Sequence, residues 1–443
     1  MREQWGSSAG FVVATIGAAV GLGNIWRFAY VTGENGGAAF LLIYLGFVAV
    51  IGLPLMIAEL ALGRRAGADA VGAFERGEEH SPWRHAGWLG VLAAGLILSY
   101  YAVIAGWALR YVFGAATGGL WQANAEGFAA DFESFIGHYL EPALWQAAML
   151  AAAGIVVSAG IRGGIERLNR WLMPLLAVIV VLLAAFAITL PGGSRGVAFI
   201  LAPDWGAFSR PAVYLNALGQ AFFSLGLGMA VFITYGSYLG RGTSIPRAAV
   251  AVAVGDTAFA IVAGLAIFPA VFAFGGDPAA GPRLAFITLP QVFMQMPGGG
   301  AVGLVFFLLL SAAALTSMMS LLEVPVSVLV ERTSVSRRAA VVFVTVAVFL
   351  AGLPAALGYG VLAHWTLGGL PILDLVDQTT SNVLLPLCGL AVAIFVGWRI
   401  APATVLADAD LATSRLGRIW WWLLRMVVPA TILVILVRSL AWL

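Results

Sequence analysis

The chain has 443 residues, of which 61% are hydrophobic and only 10% are Asp, Glu, Lys or Arg. A soluble domain carries about 25% charged residues, so this chain cannot cover its apolar core with a polar surface and reads as a polytopic membrane protein. The net charge of +2 points to no class of partner, the single Cys388 excludes an intrachain disulfide or thiolate metal cluster, and four scattered His offer no zinc or haem spacing.

The start of the chain is polar, and the long apolar run from Ala9 suits a spanning helix better than a secretory leader. Runs long enough to cross a bilayer recur at roughly 9–31, 38–63, 86–113, 142–161, 168–190, 212–239, 247–274, 299–330, 338–357, 370–399 and 419–441, eleven in all. With the N-terminus inside, sixteen arginines fall on cytoplasmic segments, against Arg195, Arg210 and Arg283 outside. That bias fits the positive-inside rule, and an odd number of spans puts the C-terminus outside. Short loops and the absence of any Lys suggest a bacterial inner membrane.

Two spans are interrupted by glycine. The first reads Gly17-Ala18-Ala19-Val20-Gly21-Leu22-Gly23-Asn24, and the sixth reads Phe223-Ser224-Leu225-Gly226-Leu227-Gly228-Met229. Each Gly costs a helix interior about 1 kcal/mol relative to Ala, so the clusters favour local unwinding. Bare backbone at membrane depth survives only against a cavity or an ion. Single clusters also serve close helix packing. A matched pair five spans apart, with Asn24 and Ser224 beside the breaks, points instead to a transporter site.

Ionisable residues inside the spans are few: Arg27, Glu59, Asp256, Glu323, Asp374 and Asp377. Such residues are costly in lipid and mark function. Arg110, Arg425 and Arg438 lie near span ends, where snorkelling accounts for them. In the eighth span Thr316-Ser317 follows the small run Ala312-Ala313-Ala314. Their hydroxyls either bond to their own helix or, with unwound carbonyls nearby, form an oxygen cage for a hard cation.

Several longer blocks resemble the neurotransmitter:sodium symporter family. They run Gly17 to Asn24 and Arg27, Glu34-Asn35-Gly36-Gly37, Gly52-Leu53-Pro54-Leu55-Met56 to Glu59, and Gly63-Arg64. Tyr100-Tyr101, Arg162-Gly163-Gly164-Ile165-Glu166, Gln220 to Leu225 and Ala314-Leu315-Thr316-Ser317 follow in order, covering nearly the whole chain. The resemblance implies an all-α polytopic membrane protein of two inverted five-helix repeats with broken first and sixth helices, plus an eleventh helix. On this division residues 1–190 form the first repeat, 191–400 the second, and 401–443 a cytoplasmic linker and the last helix. The family's common twelfth helix has no room here.

The resemblance also implies a site. One sodium would bind the Ala19 carbonyl, Asn24, Ser224 and Asp256, completed by the substrate carboxylate. A second would bind the carbonyls of Gly17, Val20 and Ala313 with the Thr316 and Ser317 hydroxyls. Relatives often carry Asn where Asp256 stands, and their fixed acid is replaced here by Ala260. An ionised Asp256 would supply that negative charge, so no chloride is expected. The substrate carboxylate would meet the N–H groups of Leu22 and Gly23 and the Tyr101 hydroxyl, with Phe223 as lid. Ile97, Ser224, Gly226, Met229 and Leu321 would line the pocket. Gly21 stands where amine-transporting relatives place an Asp, which argues for a substrate bringing its own carboxylate. Gly226 leaves room for a large apolar or aromatic L-amino acid. Arg27 with Asp377 (Asp374 the weaker candidate) would gate the outside, and Arg2 with Glu331, near Trp5 and Tyr238, the inside. Glu59 would accept backbone N–H groups of the unwound sixth helix. The role of Glu323 and the oligomeric state are not legible.

The expected function is therefore sodium-coupled import of an amino acid across the bilayer by alternating access. An enzyme is not expected, since no His, Cys or acid cluster converges and no Gly-x-x-x-x-Gly-Lys loop is present. No nucleic-acid partner is expected. A non-transporting amino-acid sensor on the same fold is the alternative.

Overall fold

The computed structural model describes residues 3–75, 82–122 and 127–440, with side chains up to 437. Arg2 and the side chain of Arg438 therefore lie outside the described residues. Every expected span is helical. In chain order these are α1 (Ser8–Ala19 and Gly23–Glu34, halves α1a and α1b), α2 (Ala38–Ala66), α3 (Arg84–Ala116), α4 (Glu141–Ser158) and α5 (Ile161–Ile188). Then follow α6 (Pro211–Leu225 and Val231–Ser237, halves α6a and α6b), α7 (Ile245–Ala273), α8 (Gly299–Arg332), α9 (Arg337–Ala356), α10 (Ile372–Arg399) and α11 (Arg415–Val437). Among the described residues nine helices are long and apolar enough to cross a membrane unbroken, and α1 crosses as a pair bent by 50°. The α6 halves, 15 and 7 residues long, are each too short to cross alone. The helix α11 starts at Arg415 rather than 419. Ser414 caps it by accepting from the Leu416 N–H, a polar start that hydropathy does not register.

Both glycine clusters do break their helices. In α1 the chain turns extended at Val20 (φ −70°, ψ 113°). In α6 three residues take positive φ: Gly226 (73°), Gly228 (76°) and Ala230 (56°). The glycines adopt this region freely, whereas Ala230 costs roughly 1–2 kcal/mol there. A Cβ on Gly228 would also lie 2.5 Å from the Leu385 carbonyl oxygen. The break thus needs glycine for both torsion and space.

Packing brings the breaks to the middle of the bundle. The long helix α8 runs along α3, α6b lies on α2, α7 on α5, and α1a touches both α7 and α8. At the edge, α11 packs against α10. Residues 200 and more apart in sequence therefore meet at the two interruptions.

Candidate functional site

A first oxygen cluster surrounds the α1b start. The Asn24 amide nitrogen donates to Asp256 Oδ1 (2.7 Å), to the Asp256 carbonyl (3.1 Å) and to Ser224 Oγ (3.2 Å). Asp256 Oδ2 accepts from Ser224 Oγ at 2.9 Å and from the Tyr44 hydroxyl at 3.3 Å. Asn24 Oδ1 accepts from the Gly21 N–H at 3.0 Å. Asn24 and Asp256 are fully buried and Ser224 is 1% exposed. A carboxylate in such a setting is tolerable only because three donors face it. Asn24, Ser224 and Asp256 were expected together. The sequence does not mark Tyr44, whose one signal is a phenol in the apolar first half of α2.

A second cluster lies on the other side of the same break. Thr316 Oγ1 approaches the Val20 carbonyl at 3.2 Å and Ser317 Oγ approaches it at 3.3 Å. Thr316 Oγ1 also donates to the Ala313 carbonyl, on its own helix, at 2.7 Å. Val20, Ala313, Thr316 and Ser317 thus meet as expected, all with neutral oxygens. Gly17 sits where α5 comes close, since a Cβ there would lie 1.9 Å from Asn169 Oδ1.

A cavity opens between the clusters. Its lining includes the expected Gly23, Ile97, Tyr101, Phe223, Gly226, Met229 and Leu321, together with Ala19. Leu22 and Ser224 do not line it, while Ser317, Ser320, Val231 and Phe232 do. The Leu22 N–H donates to the Tyr101 oxygen at 2.8 Å, so these two groups face each other rather than a common third group. A Cβ on Gly21 would lie 2.4 Å from the Tyr101 hydroxyl and 2.2 Å from Ser317 Oγ. Any side chain at 21 is therefore crowded. A Cβ on Gly226 would touch nothing within 4 Å, which leaves space there.

Outside the cavity, Arg27 Nε stands 4.0 Å from Asp377 Oδ2, with the guanidinium 4.9 Å from the Phe223 ring centre. Arg27 also donates to Gln220 Oε1 at 2.8 Å, and Gln220 donates to the Gly23 carbonyl at 2.8 Å. The sequence marks Gln220 only through its motif block, and its full burial in a helix is what singles it out. Asp377 Oδ1 takes the Tyr100 hydroxyl at 2.8 Å, whereas Asp374 takes Tyr359 at 3.3 Å.

On the opposite side, Trp5 donates from Nε1 to the Tyr235 carbonyl (3.1 Å) and from its backbone to the Tyr238 carbonyl (3.3 Å). The same strap reaches α5, where the Ile161 N–H donates to Glu3 Oε2 (2.8 Å) and the Gly6 N–H to Glu166 Oε2 (2.7 Å). Glu331 sits on the last turn of α8, and its expected partner Arg2 is outside the described residues. The Tyr238 hydroxyl goes to Glu323 Oε1 at 2.7 Å. Glu323 is fully buried and forms an ion pair with Arg337, whose Nε also donates to the Val157 carbonyl at 2.9 Å. Glu59 accepts the Gly228 N–H at 2.9 Å, as expected of a carboxylate holding the α6 break.

Comparisons with known proteins agree with this arrangement. The family model described as the sodium:neurotransmitter symporter family matches residues 2–134 and 129–443. The sodium-dependent transporter YhdH of Bacillus subtilis is 39% identical over 98% of this chain and 96% of its own length. A sodium-dependent transporter of Haemophilus influenzae is 35% identical over 99% and 98%. The crystal structure of MhsT in complex with L-phenylalanine superposes with a TM-score of 0.94 at 51% identity, covering 99% of this chain and 100% of that one. The chain is a multi-pass membrane protein that belongs to the sodium:neurotransmitter symporter family, whose members are sodium-dependent transporters and not enzymes.

Proposed function

We propose that this sodium-dependent symporter imports an L-amino acid with a large apolar or aromatic side chain, using two sodium sites, by alternating access. The observation that carries the reading is the convergence of two oxygen clusters on one break in α1, with the Tyr101-lined cavity between them. The first sodium would take the Ala19 carbonyl, Asn24, Ser224 and Asp256. The second would take the carbonyls of Gly17, Val20 and Ala313 with the Thr316 and Ser317 hydroxyls. The substrate carboxylate would displace the Leu22–Tyr101 hydrogen bond and take both groups as its own donors. The likeness to MhsT, solved with L-phenylalanine, supports an amino acid of that kind.

Asp256 carries a fixed negative charge beside the first sodium, which removes the need for chloride. Arg27 and Asp377 form the outer gate under the Phe223 lid, and the Trp5 strap with Arg2, Glu331 and Tyr238 the inner one. Residues 1–190 and 191–400 act as inverted repeats, with 401–443 added to them. Arginine placement sets the N-terminus in the cytoplasm and the C-terminus outside, in a bacterial inner membrane. About 2.3 kcal/mol per charge per 100 mV of membrane potential drives each sodium inward.

The test is thermal-shift screening of purified protein against the twenty amino acids, in sodium and in choline, followed by uptake into proteoliposomes. Sodium-dependent stabilisation by L-phenylalanine or a similar residue, and sodium-driven accumulation of it, are expected. Stabilisation without accumulation would favour the sensor, and indifference to sodium would sink both readings.

A further inference from the structure

Three arginines lie along the first half of α11. Arg415, Arg418, Trp422 and Arg425 recur at i, i+3, i+7 and i+10, which places them in one stripe along the helix. No carboxylate or other acceptor among the described residues meets any of the three guanidinium groups. The nearest acids in sequence are already taken. Asp408 pairs with Arg65 at 3.1 Å, Asp410 with Arg64 at 2.8 Å, and Asp410 also accepts the Ile245 N–H at 3.0 Å. Arg337, at the start of α9, shows the contrast, because buried Glu323 neutralises it.

Arg425 is also held in place. Its guanidinium lies 4.4 Å from the Trp398 ring centre and 4.8 Å from that of Trp421, while Trp398 Nε1 donates to the Arg425 carbonyl at 2.9 Å. An arginine that merely snorkels needs no such clamp. Around the cations the surface is apolar and open: Leu416 is 68% exposed, Ile419 56%, and Trp398 and Trp422 55% each. Tryptophan and arginine together at a span end belong to the headgroup layer of a bilayer. Uncompensated positive charge, a fixed guanidinium and apolar flanks fit one occupant, an amphiphile with an anionic head.

We propose that the start of α11, with Trp398 of α10, is a binding site for the headgroup of an anionic phospholipid. Arg418 and Arg425, about 10 Å apart along the helix, reach the phosphate oxygens from the aqueous and the membrane side, Arg415 adds positive charge one turn further out, and the acyl chains lie along the exposed apolar residues. The site is at the arginine-rich face of the membrane. It adjoins the short linker whose Asp408 and Asp410 clasp the end of α2, so a bound lipid would also steady that clasp.

The test is native mass spectrometry of the detergent-purified full chain with graded phosphatidylglycerol, against phosphatidylethanolamine as the neutral comparator. Each arginine near an anionic lipid is worth about fivefold in retention, so Arg425→Gln should lose about fivefold and Arg415→Gln/Arg418→Gln about 25-fold. Arg338→Gln, at the same face and with no partner among the described residues, should retain the lipid like the parent. Monodisperse elution and unchanged helical circular dichroism identify variants that still fold. Equal retention by the α11 variants, or equal retention of the neutral lipid, would overturn the proposal. So would displacement of the lipid by free sn-glycerol 3-phosphate, which would mark a soluble-anion site instead. The readout is lipid retention, so it stands apart from whether, and with which amino acid, the protein transports.

Discussion

The two oxygen clusters flanking the α1 break use the same break but different electrostatics. The first is centred on Asp256, whose carboxylate gathers donors from Asn24, Ser224 and Tyr44 on three other helices. The second holds only carbonyl and hydroxyl oxygens, from Val20, Ala313, Thr316 and Ser317. A buried charge strengthens every hydrogen bond around it and becomes expensive when any partner is removed. A neutral cage depends on the spacing of its oxygens, and spacing changes when either helix moves. The difference teaches that the first cluster should be the permanent one and the second the releasable one.

Removing the charge should have the largest effect. Asp256→Ala leaves three buried donors without their acceptor, and sodium-driven uptake should fall by about 100-fold or more, at about 1–3 kcal/mol for each orphaned group. Uptake within threefold of the parent would mean that the two clusters do not differ in kind. Asp256→Asn is the sharper variant, because it keeps the shape and drops the charge. Replacing chloride by gluconate should then cut its uptake about tenfold, one pKa-unit equivalent of electrostatic energy, while leaving the parent unchanged. Strict chloride dependence of the parent would show that Asp256 supplies no substitute charge.

Thr316→Val with Ser317→Ala probes the neutral cage. Losing two hydroxyls at about 1 kcal/mol each should raise the half-saturating sodium concentration about 30-fold, with no chloride effect. A chloride effect here would contradict the separation of the two clusters. The smallest change should come from the outer gate, where Arg27 Nε and Asp377 Oδ2 are 4.0 Å apart and each has other partners. Asp377→Asn should slow uptake by no more than about fivefold, in keeping with about 1 kcal/mol for such a pair. A loss as deep as that of Asp256→Ala would move the centre of the mechanism to the gate.

Much of the fold was legible because hydropathy and helix breaking are local properties. The eleven apolar runs, the Gly17–Asn24 and Phe223–Met229 interruptions, and the Thr316-Ser317 pair all announce themselves within a single segment. The site was legible to the extent that its residues belong to such segments or to motif blocks. Asn24, Ser224 and Asp256 met as expected, and so did Glu59 with the Gly228 N–H. Tyr44 and Gln220 were not marked, because one buried phenol and one buried amide carry no periodic signal. The unclassified Glu323 found its ion partner, Arg337, fourteen positions along the chain but on a different helix. The Leu22–Tyr101 contact was not anticipated either, since expectation had pointed both groups at the same substrate atoms.

By itself the sequence determined that the chain lives in a membrane, where it crosses, and where two of its helices must come apart. These follow from chain-local energies: the cost of polar groups in hydrocarbon and of glycine in a helix. Only the tertiary structure decided which donors share Asp256, that Arg337 neutralises Glu323, and that Asp408 and Asp410 are spent on Arg65 and Arg64 while Arg415, Arg418 and Arg425 meet no acceptor among the described residues. Those outcomes depend on which helices lie side by side, and close packing between residues far apart in the chain, not the pattern within any one segment, sets that.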